Sequence, residues 1–177
     1  MFVDIVGFTI ISKVMTPAQL VRDLDYCFTN FDQIIDRYKI EKIKTMGDAY
    51  ICVAGLDGRE DHPIRMVQAA QDLLSFSESW KKERQERSEP PYNLRIGIHS
   101  GSIIAGVVGV HKFAFDIWGD AVNVAARLEA ASEMGKINIS ENTFRRVRDQ
   151  FNCTSRGKMA IKNAGEIEMY FVEKELS

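Results

Sequence analysis

The stretch Lys42-Ile43-Lys44-Thr45-Met46-Gly47-Asp48-Ala49-Tyr50 organises the reading of the whole chain. Valine and isoleucine positions alternate into it from Ile40 and out of it toward Val53. Gly47 stands at the reversal, where a tight turn calls for a positive φ. The pattern predicts two antiparallel strands whose turn holds one carboxylate, Asp48, just past its tip. Lys44 lies four residues earlier. Residues an even number apart on a strand share a face, but the turn intervenes, so the two need not meet. A plain surface ion pair near a hairpin tip is the default reading of two such charges.

Working outward, Met1 to Ile5 reads as a short strand that runs into Val6-Gly7-Phe8-Thr9, with Asp4 near its end. An acid at a strand end, followed by a glycine turn with free backbone N–H groups, can hold a cation and phosphates. The same residues also suit ordinary turn chemistry. Thr16 is an N-cap candidate with Pro17 at the first helical position. Leu20, Leu24, Cys27, Phe28, Phe31, Ile34, Ile35 and Tyr38 then recur at steps of three and four, which predicts an amphipathic helix of about five to six turns. A second helix begins near His62-Pro63, with Met66, Ala70, Leu73, Leu74 and Trp80 on its inner face. Its charged tail, Lys81 to Arg87, reads as a solvated end before Pro90-Pro91.

Leu94 to His99 alternates as a strand, with Arg95 and His99 on one face. A turn at Ser100-Gly101 leads to a further strand, Ser102 to Val108. Phe113 to Trp118 is strand-like and carries Asp116 among apolar neighbours. An acid there costs free energy unless something satisfies it or the strand is an edge. Asp120 reads as the N-cap of a helix to Ala131. On it Asn123 and Arg127 project from one face, a pairing suited to ribose and phosphate contacts and equally to an exposed helix face. Ile137 to Ile139 is a short strand, Ser140 caps a helix to about Asp149, and Phe151 to Val172 alternates like two strands joined through Lys162 to Glu166. Helices alternate with hairpins, so the class is α+β with a mostly antiparallel sheet.

The bulk numbers bound the rest. The 177 residues, 45% of them hydrophobic, suit one domain spanning 1–177 with a full core. The 23 basic and 25 acidic residues nearly cancel to −2, which leaves no basic excess to draw nucleic acid or an anionic membrane face. Cys27, Cys52 and Cys153 fall in no metal-ligand spacing and read as free thiols in a reducing compartment. No apolar run reaches the ~20 residues needed to span a bilayer. The abrupt opening inside a strand reads as a piece of a longer protein. A cytoplasmic catalytic segment is expected, whatever anchor the full-length protein carries.

Four blocks together resemble the class III nucleotidyl cyclase catalytic domain: Phe2-Val3-Asp4-Ile5-Val6-Gly7-Phe8-Thr9, Lys42 to Asp48, Leu94 to Gly101, and Phe115 to Arg127. They occur in the family's order over nearly the whole chain. The resemblance implies a ferredoxin-like βαββαβ core with additional strands and a head-to-tail homodimer with shared active sites. It implies Asp4 and Asp48 as metal ligands, with the Ile5 carbonyl, for two divalent cations, Mg2+ or Mn2+. It implies Lys44 and Asp116 as the readers of the purine. Guanine-specific members usually carry Glu and Cys at those positions, so this pair implies adenine and ATP as substrate. Asn123 resembles the residue that orients the ribose and Arg127 the one that stabilises the pentavalent phosphorus. Arg95 and Lys162 resemble the clamps on the β- and γ-phosphates, with Gly7, Phe8 and Thr9 lining the phosphate turn. The expected activity is an adenylyl cyclase. The alternatives are a guanylyl or dual-specificity cyclase, or a non-catalytic nucleotide-binding regulatory domain. His99 is expected to be structural, as is His62.

Overall fold

A computed structural model describes residues 1–109, 111, 113–161 and 165–176. The elements in order are β1 (Phe2–Ile5), a single-turn α1 (Phe8–Ile11) continued by a 3₁₀ turn (Ser12–Val14), α2 (Pro17–Arg37), β2 (Glu41–Met46), β3 (Ala49–Val53), α3 (His62–Glu86), β4 (Leu94–Ile98), β5 (Ile104–Val108), β6 (Ala114–Trp118), α4 (Asp120–Ala130), β7 (Ile137–Ser140), α5 (Glu141–Val147), β8 (Phe151–Ile161) and β9 (Gly165–Glu175). Seven strands form one sheet in the order β2-β3-β1-β4-β7-β9-β8. The first four of these, with α2 and α3 between them in sequence, are the expected βαββαβ core. Every ladder in this sheet is antiparallel except β4 with β7.

The local signals behind these elements are specific. Thr16 accepts from the Gln19 amide while the Gln19 side chain takes the Thr16 amide, a complete capping box ahead of Pro17. Ser140 caps α5 by accepting from the Thr143 amide. Gly47 turns the β2-β3 hairpin at φ 63°. Alternation then decides the layers. Val3 and Ile5 of β1 join the main core with Cys27, Phe31 and Ile35 of α2 and Val67, Ala70 and Leu73 of α3. Phe2 points the other way and packs with Ile51 and Ala125 beneath α4. Helices therefore cover both faces.

The strand after Ser100-Gly101 forms as expected, and among the described residues β5 pairs with β6 in a separate two-stranded ribbon. Two expectations are corrected, one of them at a single residue. Gly119, at φ 135°, is the N-cap of α4, and Asp120 is its first helical residue, where a negative charge suits the free amides. The charged tail of α3 is solvated at Lys82, Glu83 and Gln85 to Arg87 as expected, but not at Arg84. Arg84 is 2% exposed, donates to Asp23 at 2.6 Å and to the Pro90 carbonyl at 2.7 Å, and lies over the rings of Trp80 and Tyr92. A guanidinium can be buried there because carboxylate, carbonyl and π faces together replace its water. Cys27 and Cys52 are buried and free, as expected. Among the described residues no helix is long and apolar enough to cross a membrane.

Candidate active site

Asp4 enters the site because β1 pairs with β4 in a register that sets it opposite Arg95. Asp48 reaches it from the tip of the β2-β3 hairpin. Arg95 Nη2 lies 2.8 Å from Asp4 Oδ2, and Arg95 Nε donates to the same oxygen at 3.0 Å. Burial, and then the charge of Asp4, raise the Asp48 carboxyl above its ordinary value, with Arg95 opposing. Arg95 is spent on Asp4 and Glu129, and among the described residues no ion pair reaches Asp48. The donors of the two aspartates are all oxygen, and Ile5 follows Asp4 as the last residue of β1. That chemistry fits a hard divalent cation such as Mg2+ or Mn2+. Just beyond, Gly7 at φ 75° caps α1, whose first bonded amides, Ile10 and Ile11, both donate to the Gly7 carbonyl. The amides of Phe8 and Thr9 precede them and have no partner within the helix.

A fourth group, missed in the sequence, completes this cluster. Glu129 projects from the buried side of α4, with its Oε1 2.6 Å from Arg95 Nε. That distance is an ion-pair approach without a hydrogen bond, because the single Nε hydrogen already points to Asp4. Burial, and then the charge of Asp4, push the Glu129 carboxyl up to about 7. The signal was present in the pattern: Ala121, Val124, Ala125 and Leu128 mark the buried stripe of α4, and Glu129 is the next position on it.

Lys44 and Asp116 form a second cluster. Lys44 Nζ donates to Asp116 Oδ2 at 2.5 Å, and the Ile117 amide donates to Asp116 Oδ1 at 2.9 Å. The lysine bond first, then the amide, lower the Asp116 carboxyl below its usual value. Asp116 sits opposite Gly106 on the open ribbon, which excuses an acid among apolar neighbours. Lys44 gets there through a β-bulge. Lys42 pairs with Cys52 and Lys44 with Ile51, so Ile43 is one residue too many for β3. Simple alternation would put both lysines on one face. The bulge separates them: Lys42 bonds Asp32 of α2 at 2.8 Å, and Lys44 crosses to β6. The default pairing of Lys44 with Asp48 does not form. No hydrogen bond or ion pair joins the Lys44 cluster to the Asp4 cluster among the described residues.

Asn123 is exposed and Arg127 half-exposed on α4. Among the described residues neither side chain has a hydrogen-bond or ion-pair partner. Lys162 lies outside the described residues. His99 Nδ1 bonds the Ser140 hydroxyl at 2.7 Å, tying the end of β4 to the α5 cap. His62 covers Gly55 at the start of α3. A cavity lined by Met66, Ile98, His99, Ile117, Ala121 and Ala125 lies at the opposite end of β1 from Asp4 and is no part of this site.

With the geometry fixed, the likeness to known proteins is informative. The model of the adenylate and guanylate cyclase catalytic domain matches residues 1–174. An adenylate cyclase of Mycobacterium tuberculosis is 37% identical over 173 residues, which is 97% of this chain and 38% of that protein. The chain therefore spans well under half the length of that relative. The crystal structure of the guanylate cyclase domain of RhGC from Catenaria anguillulae, in complex with GTP, superposes with a TM-score of 0.92 at 31% identity, over 99% of this chain and 94% of that one. The adenylyl cyclase CyaB from P. aeruginosa superposes with a TM-score of 0.93 at 26% identity, over 98% and 91%. Overall likeness thus does not separate the two purines. The fold, the ordered blocks and these matches agree: the chain belongs to the class III adenylyl and guanylyl cyclase catalytic domain family.

Proposed function

We propose that this domain converts ATP to 3′,5′-cyclic AMP and pyrophosphate. The observation that carries the choice of base is the Lys44–Asp116 pair. An ammonium donates to adenine N1, an acceptor of the neutral base, and a carboxylate accepts from the adenine exocyclic amine. Guanine presents a donor and an acceptor in the opposite order, and would leave both groups facing like partners. The Asp116 carboxyl is held ionised by Lys44, which keeps it an acceptor.

The reaction is an in-line displacement at the α-phosphorus. The ribose 3′-oxygen forms the new bond, the bond to the bridging oxygen breaks, and pyrophosphate leaves. Asp4, Asp48 and the Ile5 carbonyl would hold divalent cations, whose chemistry there would be Lewis-acid activation of the 3′-hydroxyl and neutralisation of triphosphate charge. Asn123 orients the ribose through its amide. Arg127, unpaired within the chain, meets the charge that grows on the phosphorus oxygens. Arg95, Lys162 and the amides of Phe8 and Thr9 hold the phosphates. No side chain is an evident general base, and the hydroxyl proton passes to a substrate phosphate oxygen.

The site is shared between two copies. The Asp4 cluster serves the phosphates in one copy, while Lys44, Asp116, Asn123 and Arg127 come from the other, giving two equivalent sites in a head-to-tail homodimer. The separation of the two clusters within one chain supports this. So does the exposed apolar surface around Asp116, where Ile104 is 70%, Val107 63% and Phe113 76% exposed. The test is cyclic nucleotide production from ATP and from GTP with Mn2+. A preference for GTP refutes the reading of Lys44 and Asp116. A guanylyl or dual-specificity enzyme is the second reading, favoured by the likeness to the GTP-bound Catenaria anguillulae domain.

A further inference from the structure

Arg95 stands between two carboxylates that it serves unequally. Its Nε hydrogen and its Nη2 both go to Asp4 Oδ2. Glu129 Oε1 lies nearer to Nε than Asp4 does, at 2.6 Å, yet is a buried acceptor with no hydrogen bond. Leaving such an oxygen unserved is costly, and Glu129 is not free to turn away. It is carried by the part of α4 whose backbone is pressed against Gly97 of β4, two residues from Arg95. The acceptor is therefore held in place beside a donor that is committed elsewhere.

We infer that Glu129 is a positioning residue that takes Arg95 over when a divalent cation claims Asp4. The inference rests on the assignment of Asp4 and Asp48 to that cation. In the chain alone, the guanidinium stands in for a cation by neutralising Asp4 beside Asp48. Cation and guanidinium compete for the same Oδ2. When Asp4 is withdrawn, the Nε hydrogen has a waiting acceptor in Glu129. The two Nη groups are then released for anionic oxygens, in the planar fork that suits a phosphate. Loading the cation and presenting Arg95 become one event.

The test is titration with Mn2+ alone, without nucleotide, read by the loss of the free-ion electron paramagnetic resonance signal. Arg95→Gln removes the competitor and is expected to tighten Mn2+ binding about fivefold. Glu129→Asp keeps the charge but withdraws the carboxylate by one methylene, so Arg95 stays on Asp4 and binding weakens about threefold. In the Arg95→Gln background Glu129→Asp should change nothing, because there is no guanidinium left to hand over. An equal effect of Glu129→Asp in both backgrounds overturns the inference, as does unchanged or weaker binding by Arg95→Gln. If Glu129→Asp does not fold, the Arg95→Gln arm stands alone, and unchanged or weaker binding there still overturns the inference. Asp4→Asn separates the two levels: saturable binding that survives it removes Asp4 from the cation site itself, whatever Arg95 and Glu129 do.

Discussion

Replacing Gly97 by alanine should damage this domain more than any other single methyl addition. Gly97 sits mid-strand in β4, paired with Phe2 on one side and Asn138 on the other, so the strand cannot slide away from α4 without breaking two ladders. A Cβ built there would stand 2.1 Å from the Glu129 amide nitrogen, 2.6 Å from the Ala125 carbonyl oxygen and 2.6 Å from the Glu129 Cα. Ordinary contact begins near 3.4 Å. All three atoms are backbone, so no rotamer relieves the clash, and α4 must move off the sheet by roughly 1 Å or more. Overpacking of this kind costs about 3–4 kcal/mol, a large share of the ~5–15 kcal/mol that holds a domain together. Urea unfolding should show a midpoint lower by about 1.5–2 M at a slope of ~2 kcal/mol per M. Gly106→Ala is the control: its nearest neighbour is Trp118 Cζ3 at 3.7 Å, and it should shift stability by less than ~0.5 kcal/mol. Because α4 carries Asn123, Arg127 and Glu129, the folded fraction of Gly97→Ala should also lose turnover. A cost under ~1 kcal/mol would mean that β4 and α4 are not pressed together as described.

Four further outcomes are expected. Lys44→Glu combined with Asp116→Cys should abolish cyclic AMP production and give cyclic GMP from GTP, read by separating both products; retained ATP preference would place the base elsewhere. Specific activity should fall on dilution as shared sites come apart, and constant turnover per mole down to low nanomolar protein would mean that one copy holds a whole site. Arg84→Ala should cost about 3–5 kcal/mol in chemical denaturation, since it strands Asp23 between α2 and α3, and Arg84→Lys should rescue little because an ammonium cannot serve Asp23, Pro90 and two rings at once. Burial, opposed by Asp120, holds His99 below its ordinary value of 6.5. The stability it contributes is therefore present above about pH 6.5 and lost as pH falls through the lower folded value, so the thermal midpoint should decline less steeply below that pH in His99→Gln. An unchanged slope would clear His99.

Much of the fold was legible because its signals are local. Thr16-Pro17 with Gln19, Ser140 with Thr143, and Gly47 each act within a few residues, and the apolar steps of α2 mark its buried face directly. What escaped depends on partners distant in sequence. Arg84 looked solvated until Asp23 and Tyr92 closed over it, since nothing in its own helix announces them. The ribbon was hidden because an alternating pattern says that β5 is a strand and not which sheet it joins. At the site, Asp4 and Asp48 meet through the pairing of β1 with β3, and Lys44 meets Asp116 through a bulge that alternation cannot foresee. Glu129 was passed over although its place on the stripe of α4 was visible, because a charge at the end of an apolar face resembles a helix end turning to water.

The surplus residue Ile43 has a consequence for how such a chain can change. Supplying β3 with a residue opposite it would leave every charged group in the sequence, yet regularise the ladder and put Lys44 and Lys42 on one face, so that they could no longer serve Asp116 and Asp32 on opposite sides. A one-codon insertion in β3 would thus erase base selection without altering a single side chain that performs it. Substitutions at Lys44 can retune the preference step by step; a change of length beside it acts all at once. Insertions opposite this short edge strand are therefore closed to gradual drift, while its chemistry stays open to it.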